Sequence, residues 1–127
     1  MLRSNTASTL ITEDLRMNEL EPLSTDIADF LFVDVETRST EDVTQFGAYR
    51  HNAAGRVTIV AYAIGDGPVK DWCVSSWGER LNWADAPEDL KVALRRVRAG
   101  KAWIVAWNAA FEALAFTRAI DGDLDDV

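Results

Sequence analysis

Asp34 and Glu36 stand two apart at the end of the apolar run Phe30-Leu31-Phe32-Val33. On a strand, alternation turns both carboxylates to one face. Two like charges beside an apolar run are expensive to bury alone, and a divalent cation shared between them removes the repulsion. Were the strand to end at Val33, both groups would simply lie in solvent. A second group, Asn108-Ala109-Ala110-Phe111-Glu112, follows another apolar run, Ala102 to Trp107. Asn108 suits a helix N-cap. Glu112 is not its capping-box partner, because the third residue after the cap is Phe111. A carboxylate next to the ends of strands is how open α/β sheets build sites. The plainer role for Glu112 is a solvated carboxylate that complements the helix dipole.

These groups need a scaffold. Residues 30–36 read as a buried strand. Residues 37–55 form a polar connection in which Val43, Phe46 and Tyr49 recur at helical spacing, enough for one short helical turn. Residues 56–65 are β-branched and apolar, a second strand. Gly65-Asp66-Gly67-Pro68 is a turn, and residues 69–74 return as the third strand of a hairpin. Residues 75–86 are a loop. Pro87 opens a helix with acidic Glu88 and Asp89 in its first turn. Leu90, Ala93, Leu94 and Val97 give that helix an apolar face, and Gly100 ends it. Residues 102–107 are a short buried strand, and a last helix runs from the Asn108 cap to about Ile120. The order predicts an α/β fold: a mixed sheet with flanking helices, antiparallel early and with a parallel addition.

The chain has 127 residues, suited to one domain, and its 48 % hydrophobic content suits a globular protein. Residues 1–26 are read separately as a polar, acidic leader, packed loosely or not at all. Thirteen Lys and Arg against 21 Asp and Glu give a net charge of −8. This excludes a basic, sequence-independent DNA coat, and any nucleic-acid contact must be local or run through metal ions. One cysteine, Cys73, allows no intramolecular disulfide, which fits a reducing cytoplasm. No apolar run approaches the ~18 residues that span a bilayer, so no membrane partner is expected.

The ordered set Asp34-Val35-Glu36-Thr37-Arg38-Ser39, Gly47-Ala48-Tyr49, the hairpin Ala61 to Val69, and Asn108-Ala109-Ala110-Phe111-Glu112 resembles the proofreading 3′–5′ exonuclease domain of phage-type family A DNA polymerases, of the DEDD superfamily. The resemblance covers roughly residues 30–120. It implies a ribonuclease-H-like fold over residues 27–127 and a site of four carboxylates binding two Mg²⁺ or Mn²⁺ ions. Asp34 and Glu36 match the first motif, Asp-x-Glu. Asn108 and Glu112 match the second, Asn-x-x-x-[Asp/Glu]. Trp107 stands where relatives often have His.

The chemistry so implied is metal-assisted hydrolysis of the 3′-terminal phosphodiester of DNA. One ion activates water and the other offsets charge on the leaving 3′ oxygen. Asp34, Glu36 and Glu112 would be both the catalytic and the metal-binding residues, with Asp34 bridging. Thr37, Arg38, Tyr49, Asn108 and Phe111 would meet the substrate. Implied partners are the single-stranded 3′ end of DNA and the polymerase domain of a parent protein, in the cytoplasm (the host's, for a phage protein).

The family's third motif, with the fourth carboxylate and a Tyr or His that orients water, has no match in this sequence. The expectation is therefore a C-terminally incomplete domain, weak or inactive by itself and open to self-association through an exposed sheet edge. Two other readings stay open. One is a non-catalytic nucleic-acid-binding or interaction remnant, and the other is a metal-binding domain acting on another phosphodiester. The remaining residues read plainly: His51 as an exposed loop histidine, Lys91, Arg95 and Arg98 as a solvated helix face, Trp103 and Trp107 as core, Cys73 as a small buried group, and Asp121 to Asp126 as a solvated tail.

Overall fold

The computed structural model describes residues 26–76 and 78–127; the leader expected over residues 1–26 therefore lies, Asp26 apart, outside the described residues. Four strands, β1 (Phe30–Arg38), β2 (Arg56–Ile64), β3 (Lys70–Cys73) and β4 (Trp103–Val105), form one mixed sheet in the order β3-β2-β1-β4. β1 and β3 run antiparallel to β2, and β4 joins β1 in parallel. Among the described residues three α-helices accompany them: α1 (Val43–Ala54), α2 (Glu88–Arg98) and α3 (Ala109–Arg118). The mixed α/β sheet, antiparallel early with a parallel addition, is the arrangement its sequence pattern predicts.

Alternation sorts the sheet into two faces. Leu31, Val33 and Val35 of β1 pair with Ile64, Tyr62 and Val60 of β2, and Trp72 of β3 pairs with Val60. This face packs on Leu90, Ala93 and Leu94 of α2 and on Ala115 and Phe116 of α3, forming the core. The other face carries Phe32, Asp34, Glu36, Ile59, Ala61 and Ala63, none of them buried. On this face the Phe30 and Phe32 rings meet edge-on at 6.0 Å.

The helices follow local chemistry. Asp42 caps α1 by accepting from the Thr44 N–H at 2.7 Å. Gly47 (φ 83°, ψ 165°) is non-helical and divides α1 into two helical pieces, more helix than the single turn expected. Its Val43, Phe46 and Tyr49 are exposed, so apolar spacing there did not mark a buried face. A Cβ on Gly55 would lie 2.6 Å from the Arg38 carbonyl oxygen and 2.7 Å from that of His51, so only glycine lets α1 turn into β2 against the end of β1. Pro87 is the N-cap of α2, one position before the first helical residue, where the sequence had placed it. Asp89 in its first turn accepts from the Tyr62 hydroxyl (2.8 Å) and from Lys70 Nζ (2.6 Å), tying α2 to β2 and β3. The Lys70 bond leads in holding the Asp89 carboxyl below the usual range, while burial and that same carboxylate push the Tyr62 phenol up.

Trp83 closes the core. It sits in a one-turn helix after the loop and is 1 % exposed. Its ring centroid lies 5.3 Å from those of both Trp72 and Phe116, and its indole N–H donates to the Phe116 carbonyl at 3.0 Å. The acidic stretch after α3 is not the free tail expected. The Trp83 N–H donates to the Asp121 carbonyl (2.9 Å), and the Asp121 N–H to that of Leu81 (2.8 Å). Leu124 is buried, and Arg98 donates to the carbonyls of Leu124 and Val127, the latter at 2.5 Å. The carboxylates of the stretch stay in solvent while its backbone docks.

Three further expectations are corrected. Trp107 is fully exposed, because β4 ends at Val105 and leaves it beyond the sheet. Cys73 is exposed, since its neighbour Trp72 takes the core side of β3. Arg98 is not on a solvated face, and Lys91 and Arg95 are held by the Ala84 carbonyl and by Glu88. Among the described residues no helix is long and apolar enough to cross a membrane. Trp83→Ala, which empties the centre of the core, is expected to cost about 3–5 kcal/mol, read as a lowered urea midpoint.

Candidate functional site

β4 pairs with β1 only as far as Phe32. Asp34 and Glu36 lie two and four residues beyond, so on the β4 side β1 has no pairing partner there among the described residues. This open edge is where the chain leaves β4, passes Asn108 and starts α3. Asn108 caps α3 as expected, its Oδ1 accepting from the Phe111 N–H at 3.3 Å. Glu112 falls on the helix row that continues through Ala115, Phe116 and Ala119, all buried against the sheet.

Placement within the elements reverses the expected burial of the carboxylates. Asp34 and Glu36 share a face of β1, as the alternation requires, and that face is the exposed one. β1 runs on to Arg38 rather than stopping at Val33, yet both groups reach solvent. Glu112, whose plain reading was a solvated helix carboxylate, is 5 % exposed. Its Oε2 is buried with no hydrogen-bond partner. Burial pushes the Glu112 carboxyl above the ordinary range, its own backbone N–H works against this, and the charge of Asp34 adds to the rise. Among the described residues no group of three His, Cys, Asp or Glu side chains is placed to hold a metal ion. Asp34 and Glu36 come from the exposed face of β1 and Glu112 from the buried row of α3.

The residues expected to meet a substrate are divided. Phe111 is half-buried, packed on the core and on the His51 ring at 5.9 Å. Tyr49 is exposed on α1, with the Arg118 guanidinium 5.4 Å from its ring centroid. Thr37 and Arg38 lie beyond a bulge that breaks the β1–β2 register between Glu36 and Thr37. Both line an open cleft between the end of β1 and α1.

His51 is the residue that sequence reasoning misplaced. It is helical and half-buried. Its Nδ1 lies 2.6 Å from the Glu41 carbonyl, which can only accept, so Nδ1 carries the proton. Nε2, 2.8 Å from Thr37 Oγ1, then accepts from that hydroxyl in the neutral ring. One imidazole therefore joins β1, the β1–α1 loop and Phe111 of α3, a role that a lone histidine in a polar stretch does not signal.

Two outcomes are expected here. A carboxyl raised in the fold is stabilising while protonated, so stability should fall as pH climbs from about 4.5 through the raised value. Glu112→Gln removes that fall; without divalent ions its Tm should exceed the parent's at neutral pH by roughly 2–4 °C and match it near pH 4, as differential scanning fluorimetry would read. His51→Ala should cost about 1–3 kcal/mol in urea unfolding, from two lost hydrogen bonds and the Phe111 contact. Comparison of the chain with protein-family models, curated proteins and solved structures finds no match.

Proposed function

We propose that this chain carries part of a two-metal 3′–5′ exonuclease site of the DNA-proofreading type, on a ribonuclease-H-like sheet, with Asp34, Glu36 and Glu112 as its acidic residues. The observation that carries the reading is Glu112: a buried carboxylate whose Oε2 has no partner, on the helix that follows the short parallel strand β4. A buried charge of this kind is retained where a cation compensates it. Hard oxygen donors fit Mg²⁺ or Mn²⁺. When bound, such ions supply water activation and charge neutralisation at phosphorus.

The chain's own groups have distinct parts in this reading. Asp34 and Glu36 present oxygens from the exposed face of β1, where a strand end can approach. Glu112 presents its oxygen from the packed side, held rigidly by the α3 row beneath it. Asn108 fixes the start of α3 and hence the position of Glu112. Thr37 and Arg38 lie just past the carboxylates, where the strand leading to the scissile bond would run, and Phe111 stiffens the floor through His51. Partners in this reading are the single-stranded 3′ end of DNA and a polymerase domain, in the cytoplasm.

A second reading, a nucleic-acid-binding module without catalysis, is favoured by one observation: among the described residues no three His, Cys, Asp or Glu donors are gathered to hold an ion. The two separate in a titration of free Mn²⁺ followed by electron paramagnetic resonance. The nuclease reading expects Mn²⁺ to bind the parent chain, with roughly tenfold weaker binding in Glu36→Ala and in Glu112→Gln. Release of 3′-terminal nucleotides from single-stranded DNA should be slow and lost in Asp34→Ala. A parent chain that does not bind Mn²⁺ sinks the nuclease reading and leaves the binding module.

A further inference from the structure

The cleft beyond Glu36 holds a second feature that the carboxylates do not explain. It is open, with a volume of 760 Å³, and its polar lining includes Thr37, Arg38, Ser39, Thr40, His51 and Arg56. Arg38 and Arg56 are direct cross-strand neighbours in the β1–β2 register. Like charges placed directly opposite on a sheet repel. Arg56 is half-buried, and its Nε is buried with no hydrogen-bond partner. A buried guanidinium N–H left unbonded costs free energy that a charged acceptor would recover. The same two arginines also line a second cavity, of 340 Å³, on the β3 side, so the pair is reached from two directions.

The acidic groups of the cleft are already engaged. Glu41 pairs with Arg50 at 3.2 Å, and the Asp42 carboxylate caps α1 through the Thr44 N–H and hydroxyl. Arg56 Nε stays without a hydrogen-bond partner beside the open space. On the α1 side the cleft is lined by Val43, Thr44, His51 and Ala54. The cleft begins at Thr37, the residue after Glu36, so a strand whose 3′ end met the carboxylates would pass along Arg56.

We propose that the cleft at the Arg38–Arg56 pair binds a phosphate group of a single-stranded nucleic acid, with Arg56 as its main donor. The proposal relies on the nuclease reading only for placing this phosphate along a substrate strand; the anion site itself needs no metal. Its test is run on the full chain in EDTA, which removes any contribution from divalent ions.

Fluorescence anisotropy with a labelled short single-stranded DNA should show binding at low salt. Arg56→Gln should weaken it about tenfold and reduce the slope of log K against log salt by about 0.7, the loss of one phosphate contact. Arg56→Lys, which keeps charge but not the fork, should fall between the two. Nitrogen-15 resonances of the parent chain should show the Arg56 Nε–H shifting on addition of the oligonucleotide, which reads the site even if Arg56→Gln fails to fold.

An Arg56 signal unmoved by the oligonucleotide, or equal affinity of parent and Arg56→Gln, overturns the proposal. A signal that moves with inorganic phosphate and not with the oligonucleotide also overturns it, leaving a small-anion site. Arg56-dependent binding in EDTA together with absent Mn²⁺ binding would retire the nuclease reading and keep this one.

Discussion

The register of β1 is the constraint on which the rest of the structure depends. Its period of two puts Leu31, Val33 and Val35 into the core, and with them fixes Asp34 and Glu36 on the opposite, exposed face. A slip of one residue would bury both carboxylates and expose three core side chains, so the core itself enforces the position of the acidic pair. The bulge between Glu36 and Thr37 then ends the strict alternation. Thr58 Oγ1 donates to the Glu36 carbonyl there, at 3.1 Å. Beyond it Thr37 turns towards His51 and Arg38 comes to face Arg56. One local irregularity thus separates an acidic face from a basic cleft within three residues.

The core that enforces this register is closed by groups far apart in sequence. Trp83 comes from a loop, Trp72 from an edge strand and Phe116 from α3, and their rings interlock. The segment after α3 completes the closure by pairing its backbone with residues 81–83. Because α3 is fixed through Phe116 and Ala119, its first turn is fixed too, and Glu112 is held against the sheet whether or not its carboxylate is satisfied there. Packing of the apolar row overrides the preference of the charge for water.

Glu112 and Arg56 are therefore two instances of the same physics. Each is a charged side chain drawn into the protein by apolar neighbours on its own element, Phe116 and Ala119 for the one, Val57 and Val60 for the other. Each keeps a polar atom buried without a partner, Oε2 and Nε. On the proposed reading, cations would answer the carboxylate and phosphates the guanidinium.

Much of the scaffold was legible in the amino-acid sequence, because it rests on short-range signals. An apolar run marked β1, β-branched residues marked β2, Gly65 to Pro68 marked the hairpin turn, the row Leu90 to Val97 marked α2, and Asn108 marked the cap of α3. The same-face placement of Asp34 and Glu36 followed from the pleat alone. Burial at strand and helix ends did not follow, since it depends on which element covers which. β4 stops after three residues, so Trp107 lies bare; the row of α3 buries Glu112; the Gly55 turn folds α1 back on β1 and sets His51 between them. The pairing of Arg38 with Arg56 exists only once two strands have chosen a register. Local sequence determined the elements and the face each carboxylate shares, whereas only tertiary packing decided which charges would be left without water.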